Sequence, residues 1–298
     1  MAHHQWQLGL VQGTGHDDPE AALATMETGI REAAGHGADL VLLPELHNGP
    51  YFCQTEDPAV FDRAEPVPGP TTQRLGRVAA ETGTVIVGSV FEHRAPGLAH
   101  NTAVVLDRDG SLAGTYRKMH IPDDPGYYEK FYFTPGDTGF RPVETSLGRL
   151  GVLVCWDQWF PEAARLMAMA GAEILLYPTA IGTDPQDDAA EQARQLEAWQ
   201  TVQRGHAVAN GLPLAACNRV GHEPDPAGGP GIDFWGHSFV CGPQGEWLEQ
   251  LDGTSTGVRV VPVSRRRSEE VRRMWPFFRD RRVDAYADLV KRWRDDTV

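Results

Sequence analysis

The feature that most constrains this chain is a strand-like segment that ends in a cysteine. Residues 149–162 have the sequence RLGVLVCWDQWFPE, so Cys155 directly follows a short apolar run. Pro161 favours the first turn of a helix, because its ring presets the helical backbone angle and no amide hydrogen is needed there. Apolar spacing then predicts a helix that lasts until Gly171. We therefore predict a strand, a sharp turn at Cys155 and a helix.

A thiol at such a turn can project toward a substrate. The N–H groups at the start of the helix favour its thiolate form, which is the nucleophilic species. Composition supports a buried structural cysteine equally well, since free cysteine is among the most buried residue types. The choice between the two depends on what other strand ends carry.

Two more strand ends carry charged groups of complementary chemistry. Glu45 ends the apolar run at 39–45, and Lys118 directly follows the predicted strand at 112–117. In open α/β sheets the carboxyl ends of strands form the ligand crevice. We therefore expect a carboxylate, an ammonium and a thiol to converge there, with Lys118 kept charged by its acidic neighbours.

Three longer blocks resemble a known family. Residues 42–52 (LLPELHNGPYF), 116–137 (YRKMHIPDDPGYYEKFYFTPGD) and 151–182 (GVLVCWDQWFPEAARLMAMAGAEILLYPTAIG) are similar, in this order, to signature blocks of the nitrilase superfamily of carbon-nitrogen hydrolases. Within it the chain most closely resembles N-carbamoylputrescine amidases. The likeness extends from about Trp6 to about Arg282.

The resemblance implies a role for four residues. Cys155 is the expected nucleophile, Glu45 the general base, Lys118 the cation beside the oxyanion, and Glu129 the second acidic residue. It also implies hydrolysis of N-carbamoylputrescine to putrescine, ammonia and carbon dioxide through a carbamoyl-thioester, as in polyamine biosynthesis. The backbone N–H of Trp156 is expected to share the oxyanion with the lysine.

Five further residues are candidates for binding substrate. A diamine derivative carries an ammonium, which calls for a carboxylate, and Asp184, Asp123 and Asp124 lie in loops able to supply one. Tyr51 lies in a loop expected to form a pocket wall, and Ala180 follows the strand at 173–178. A carboxylate-bearing substrate such as N-carbamoyl-β-alanine would require a cation instead, with the candidates Arg165 and Arg219. Hydrolysis of ω-amides is a further alternative.

The order of predicted elements and the resemblance both imply an α/β fold, a four-layer α-β-β-α sandwich with two mixed β-sheets. No linker divides the chain, so we expect one domain over residues 1–298. Residues 212–217, 236–241, 246–250 and 257–263 are predicted as the second group of strands. The stretch at 119–137 is expected to be a long irregular connection of functional importance.

Charge and cysteine content limit the functional classes. With 27 basic and 41 acidic residues the net charge is −14, which argues against nucleic acid and anionic membranes as partners. The four cysteines show no C-x-x-C spacing, so we expect reduced thiols, with Cys53, Cys217 and Cys241 in the core. There is no export signal and no apolar run of about 18 residues, so a cytoplasmic location is expected.

Three other functional classes are alternatives for this chain. A papain-type enzyme needs a histidine beside Cys155, for which His120, His206 and His237 are candidates by abundance alone. No H-E-x-x-H or Cys/His cluster indicates a metal, and no cofactor motif is found. A silent binding protein on the same fold is the third class, although all four reactive positions carry suitable groups.

The tail from about residue 275 contains aromatic side chains with no evident core of their own, beginning WPFF. Such a surface favours contact with another subunit. In the family such tails often join dimers, so we expect a homo-oligomer, a dimer or larger.

Overall fold

The computed structural model describes residues 5–184 and 186–294. Strands and helices alternate through most of this region. The strands are β1 (Gln5–Gln12), β2 (Leu40–Leu42), β3 (Val85–Ala95), β4 (Leu98–Leu106), β5 (Leu112–Arg117), β6 (Val143–Thr145), β7 (Gly148–Val152), β8 (Ile174–Pro178), β9 (Gly182–Thr183), β10 (Leu214–Cys217), β11 (Val220–Glu223), β12 (Ile232–Trp235), β13 (Phe239–Cys241), β14 (Trp247–Gln250) and β15 (Gly257–Ser264). The α-helices are α1 (Pro19–Gly35), α2 (Pro70–Thr82), α3 (Glu129–Tyr132), α4 (Pro161–Met169), α5 (Ala189–Asn210) and α6 (Arg265–Met274). Short 3₁₀-helices cover Phe52–Gln54, Pro58–Arg63, Cys155–Trp159, Val283–Ala285 and Ala287–Val290.

Capping residues explain where the longer helices begin and end. The Asp18 side chain accepts the N–H of Glu20 at 3.1 Å before α1, and the Asp188 side chain accepts the N–H of Glu191 at 2.8 Å before α5. Each satisfies an amide that has no partner within the helix. Gly211 ends α5 at φ +58°, a left-handed conformation that glycine adopts without a Cβ clash.

The strands form two large mixed sheets, as predicted. The first has the order β15-β1-β2-β3-β4-β5, with β1, β2 and β3 parallel and the other pairs antiparallel. The second has the order β14-β13-β10-β8-β7-β6, with β7, β8 and β10 parallel. A small third sheet, β11-β12-β9, is an addition that the sequence did not predict.

Alternation along β2 shows how the layers stack. Leu40 and Leu42 belong to a core cluster that also contains Leu176 of β8, in the other sheet. Val41, between them, packs in a second cluster with Ile30 of α1. Successive side chains of a strand point to opposite faces, so one face of the first sheet meets the second sheet and the other meets helices. Helices α4 and α5 pack against β7 and β10, which completes the predicted α-β-β-α sandwich.

The two sheets meet where their parallel strands end. The backbone N–H of Glu45, after β2, donates to the carbonyl of Thr179, after β8, at 3.2 Å. This hydrogen bond joins loops that leave different sheets at the same edge. It places the candidate residues of both sheets close together, as expected for the carboxyl ends of parallel strands.

Two predictions about the fold were wrong. Residues 257–263, grouped above with the second set of strands, instead lie in β15, which pairs with β1 at the edge of the first sheet. Their alternating pattern identifies a strand but not its partner, which is distant in sequence. The connection at 119–137 is not wholly irregular, because it contains the helical turn α3, held by contacts from elsewhere in the fold.

Candidate active site

Cys155 sits at a sharp turn between β7 and α4. It begins a 3₁₀-helix and has φ +40°, a left-handed backbone conformation that is uncommon for a residue with a side chain. Its Sγ lies 3.6 Å from the carbonyl oxygen of Ala180 and 4.0 Å from Nε2 of Gln158. The predicted turn at Cys155 is therefore present, although β7 ends at Val152 and α4 starts only after the 3₁₀-helix.

Lys118 is fully buried between two carboxylates. Its Nζ donates to Oε1 of Glu45 at 2.8 Å and to Oε2 of Glu129 at 2.6 Å. Burial acts to lower the pKa of Lys118, but the charges of Glu129 and Glu45 outweigh it, so this pKa lies well above its ordinary value. Lys118 is therefore an ammonium at neutral pH, as the sequence predicts.

Glu45 has one oxygen engaged and one available. Oε1 accepts from Lys118 and from Nδ2 of Asn101, the latter at 2.6 Å. Oε2 is buried and has no hydrogen-bond partner among the described residues. A buried carboxylate oxygen without a donor is costly to maintain. It is also free to accept a proton.

Glu129 begins α3 and is held from both sides. Its Oε1 accepts from the hydroxyl of Tyr51 at 2.8 Å, while Oε2 accepts from Lys118. Burial raises the pKa of Glu129 to about 7, with the charge of Glu45 adding to the rise and the ammonium of Lys118 opposing it. A carboxyl group with this pKa can donate or accept a proton near neutral pH.

The resting state of the cysteine differs from the expectation. Burial raises the pKa of the Cys155 thiol well above its ordinary value; the charge of Glu45 raises it further and that of Lys118 lowers it. The thiol is therefore protonated at neutral pH, and the thiolate form predicted from the helix start was wrong. The resting sulfur is desolvated and close to a carboxylate, and both effects disfavour a second negative charge. Its proton must leave during the attack.

A cavity of about 360 Å³ opens onto Cys155 and Glu129. Trp156 and Ala180 line it, with Trp159 and Trp235 as further aromatic walls. Three acidic residues also line it: Asp124, Asp184 and Asp187. Among them Asp187 is half-buried, whereas the other two are exposed. The cavity therefore combines a reactive group, apolar walls and negative charge.

Two of the proposed substrate contacts do not line this cavity. Tyr51 is fully buried behind Glu129, and its hydroxyl is used by that carboxylate, so it supports the site instead of forming its wall. Asp123 is exposed and lies outside the cavity, although its neighbour Asp124 is part of the lining. The sequence alone does not show which of these adjacent aspartates lines the cavity, because the backbone conformation of the loop decides which side chain faces it.

The histidines named for a Cys-His mechanism do not line the cavity. His120 binds Asp157 through Nδ1 at 2.7 Å, and Nε2 of His206 binds the carbonyl of Gln158 at 2.8 Å. His237 lies just before β13, which is between β14 and β10 in the second sheet, and is also absent from the lining. The geometry therefore does not support a papain-type arrangement.

The arginines named for a carboxylate-bearing substrate are occupied elsewhere. Arg219 forms a buried ion pair with Glu223 at 2.7 Å, and Arg165 donates to the carbonyl of Ala209 at 2.9 Å. Neither residue lines the cavity. No group of three or more potential metal-ligating side chains occurs in residues 5–184 and 186–294. Across the same residues, no helix has the length and apolar character needed to cross a lipid bilayer.

Sequence reasoning missed several residues that hold the site together. Asn101 binds Glu45, and Asp157 accepts four hydrogen bonds around the cysteine turn. Asn101 gives no signal in sequence, since it lies within the ordinary strand β4. For Asp157 a signal existed, because an acidic residue two positions after the cysteine falls in the predicted turn.

Comparison with known proteins places this arrangement in a family. A family model described as carbon-nitrogen hydrolase matches residues 7–273. An N-carbamoylputrescine amidase of Solanum lycopersicum is 45% identical over 92% of this chain and 91% of its own length. A citrullinase of Francisella tularensis is 37% identical over 96% of this chain and 99% of its own.

A solved structure shares the whole fold. The crystal structure of a carbon-nitrogen hydrolase from Helicobacter pylori G27 is similar with a TM-score of 0.95 and 50% sequence identity, covering 98% of this chain and 100% of that one. The predicted sandwich and the predicted family are thus both confirmed. With its family match and fold, the chain belongs to the carbon-nitrogen hydrolases of the nitrilase superfamily.

Proposed function

We propose that this enzyme hydrolyses N-carbamoylputrescine to putrescine, ammonia and carbon dioxide, as a step of polyamine biosynthesis. The observation that carries the proposal is that Lys118 joins Glu45 to Glu129, and that Glu129 and Cys155 line one cavity with acidic and aromatic side chains. The similarity to an N-carbamoylputrescine amidase over most of both chains supports it.

In the first step the Cys155 sulfur attacks the carbamoyl carbon. The thiol gives its proton to Oε2 of Glu45, the buried oxygen that has no hydrogen-bond partner. The carbonyl oxygen becomes negative as the C–S bond forms, and the ammonium of Lys118 and the N–H of Trp156 stabilise it. Stabilisation of this kind is worth about 10²–10³ in rate for each donor.

In the second step the C–N bond to the diamine breaks. The leaving nitrogen takes a proton, supplied by the carboxyl pair of Glu45 and Glu129, and putrescine departs. Cys155 then carries a carbamoyl-thioester. Glu45 activates a water molecule that attacks this thioester, the thiol is released, and the resulting carbamic acid breaks down to ammonia and carbon dioxide. One water is consumed, so atoms and charges balance.

The far end of the substrate carries an ammonium, and the cavity offers groups that suit it. Asp184, Asp187 and Asp124 supply negative charge, and Trp159 and Trp235 supply aromatic faces that attract cations. Arg165 and Arg219, the two arginines suited to a carboxylate, bind other groups and do not line the cavity. We therefore favour the diamine derivative over N-carbamoyl-β-alanine and over ω-amides that bear a carboxylate.

Citrulline provides the sharpest test of this choice. It has the same ureido group and the same chain as N-carbamoylputrescine and differs only by a carboxylate beside the terminal amine. Ammonia release is measured with both compounds, with N-carbamoyl-β-alanine and with a simple ω-amide. We expect the highest kcat/KM for N-carbamoylputrescine, because the acidic lining repels the added carboxylate. Equal or faster turnover of citrulline would contradict the proposed substrate.

We also propose that the chain is a single domain whose tail joins subunits of a homo-oligomer. Met274, Trp275, Val290 and Trp293 expose large apolar surfaces in the final segment. Helix α4 adds two exposed apolar side chains, Leu166 and Met169. Large apolar side chains exposed in this number favour association with another chain. Light scattering of the full chain and of a variant truncated after residue 274 tests it, and we expect only the former to oligomerise.

The cytoplasm is the location we propose, since all four cysteines are free thiols in the structure. A silent scaffold is not favoured, because the buried carboxylates and ammonium are costly groups with no structural need to meet at a cavity.

A further inference from the structure

A buried ion pair lies behind the two carboxylates that bind Lys118. Arg219 follows β10, Glu223 ends β11, and Nη1 of Arg219 donates to Oε1 of Glu223 at 2.7 Å. Both side chains are buried, and neither lines the cavity at Cys155. A buried ion pair is weak evidence for stability, because removing two charges from water offsets their attraction. The contacts of this pair indicate a different use.

One branch of contacts leads to Glu45. Nε of Arg219 donates to the backbone carbonyl of Glu45 at 3.1 Å, and Nη2 donates to the carbonyl of Leu46. Leu46 has φ +48°, and its N–H donates to the hydroxyl of Ser89 at 2.7 Å. A residue with a Cβ keeps such a conformation only where its surroundings hold it there. The guanidinium is therefore a main restraint on the turn that presents Glu45.

The other branch leads to Glu129. Oε2 of Glu223 accepts the backbone N–H of Tyr51 at 2.6 Å, and the Tyr51 hydroxyl donates to Oε1 of Glu129 at 2.8 Å. The Tyr51 ring packs edge-on against Phe234, with centroids 5.8 Å apart. Fixed by its backbone and its ring, the tyrosine has little freedom, so its hydroxyl holds the Glu129 carboxylate in place.

We propose that the Arg219–Glu223 pair is a positioning device that holds Glu45 and Glu129 together against Lys118. The inference rests on the catalytic roles proposed above for these two glutamates. Reacting groups must keep their geometry closely, since a misplacement of about 1 Å can cost about 10²-fold in rate. Arg219 and Glu223 touch neither the cavity nor the reacting atoms, so they act through the carboxylates.

Glu223→Gln tests the ion pair with Arg219, and Tyr51→Phe tests the hydrogen bond from Tyr51 to Glu129. For both variants we expect kcat for N-carbamoylputrescine to fall, about 10²-fold for Glu223→Gln and about tenfold for Tyr51→Phe, with KM changed less than about threefold. The alkylation rate of Cys155 by iodoacetamide, which needs no substrate, should fall in Glu223→Gln, because a displaced Glu45 takes the thiol proton less readily.

Glu92→Gln is the matched control. Glu92 is also a buried carboxylate in an ion pair, with Nη2 of Arg117 at 2.6 Å, and it also accepts the hydroxyl of Thr102. It has no hydrogen bond to Glu45 or Glu129. We expect its kcat to stay within about twofold of wild type, since no hydrogen bond connects the Glu92 side chain to either carboxylate.

A double variant tests whether Glu223 acts through Tyr51. If it does, Glu223→Gln combined with Tyr51→Phe is no slower than Glu223→Gln alone, because the link is already broken. If the two losses in kcat multiply in the double variant, Glu223 does not act through Tyr51. The device is also overturned if Glu223→Gln keeps wild-type kcat or if Glu92→Gln is equally impaired. Should Glu223→Gln fail to fold, unchanged kcat in Tyr51→Phe overturns the tyrosine branch.

Two parallel variants separate the inference from the proposed function. When Cys155→Ser and Glu45→Gln lose turnover while Glu223→Gln does not, only the positioning role is wrong. Turnover retained in Cys155→Ser contradicts the covalent mechanism and the inference with it.

Discussion

Oδ1 of Asp157 accepts two hydrogen bonds from His120. The backbone N–H of His120 donates one at 3.0 Å, and Nδ1 of its ring donates the other at 2.7 Å. The other oxygen of Asp157 accepts the hydroxyl of Tyr116 at 2.8 Å and the N–H of Val154 at 3.0 Å. Tyr116 and His120 flank Lys118 in the chain, and Val154 precedes the cysteine. A single buried carboxylate thus joins the cysteine turn to the segment that presents the ammonium.

Asp157→Asn should disturb this junction. The new amide nitrogen faces groups that are donors themselves, so at least one hydrogen bond is lost. We expect kcat to fall about 10²-fold with KM nearly unchanged, and the free energy of unfolding to fall by about 1.5–3 kcal/mol. Steady-state kinetics and urea unfolding measure the two effects. Asp137→Asn is the control, because Asp137 is an exposed partner of Arg117 in the same region; comparable losses there would contradict a specific role for Asp157.

Cys155 should be the one cysteine that iodoacetamide labels rapidly. Burial raises the pKa of all four thiols, but only Cys155 lines the cavity and has Glu45 nearby to take its proton. We expect alkylation at this position to abolish turnover, as mass spectrometry and ammonia release can show. Cys155→Ser should unfold at the wild-type temperature and lose at least about 10³-fold in kcat. Four equally slow thiols would instead fit a silent protein.

The stability of the enzyme should depend on pH through Glu129. Its folded pKa of about 7 lies above the ordinary value of 4.5, so the folded state holds the proton more tightly than the unfolded state. Between these two pH values the carboxyl group is ionised in the unfolded state and still protonated in the folded state. The free energy of unfolding therefore falls as pH rises from about 4.5 to about 7, and Glu129 causes no further change above that pH. Urea unfolding from pH 4.5 to 8 should show this loss in wild type and not in Glu129→Gln. Parallel curves for the two proteins would mean that the pKa of Glu129 is not raised in the folded state.

The acidic lining should act on charged substrates only. Asp187 is half-buried and its Oδ2 accepts from Nε2 of Gln195 at 2.8 Å, whereas Asp184 is exposed. Asp184→Asn should raise KM for N-carbamoylputrescine about two- to fivefold, since an exposed ion pair is worth up to about 1 kcal/mol. Asp187→Asn should raise this KM more, because a half-buried charge is screened less by water than an exposed one. N-butylurea, which has the same chain without the amine, is the control substrate; an equal change in its KM would argue against ammonium recognition.

The sequence predicted the fold to the level of its layers and most strand positions. Apolar runs are local signals, and the runs at 39–45, 112–117 and 173–178 identified β2, β5 and β8 within a few residues. The partner of β15 and the small sheet formed by β9, β11 and β12 were not predictable in the same way. The pairs β1–β15 and β9–β12 join segments far apart in the chain, and alternation does not say which neighbour a strand will take.

The proximity of the thiol, the ammonium and the two carboxylates was predictable, because each lies at or just beyond a strand end or in a block that matches the family. Which loop residues face the cavity was less predictable, as Tyr51 and Asp123 show. The protonation of Cys155 was also out of reach, since a pKa depends on burial and on charges supplied from other segments.

The local pattern of residues therefore determined the positions of most strands along the chain and the chemical groups of the site: a thiol, an ammonium and two carboxylates. Distances, exposure and charge state came from packing between segments that are remote in the chain. A hydrogen-bond network such as Arg219 with Glu45, Leu46 and Glu223 has no sequence signal, because its members meet only after both sheets have formed.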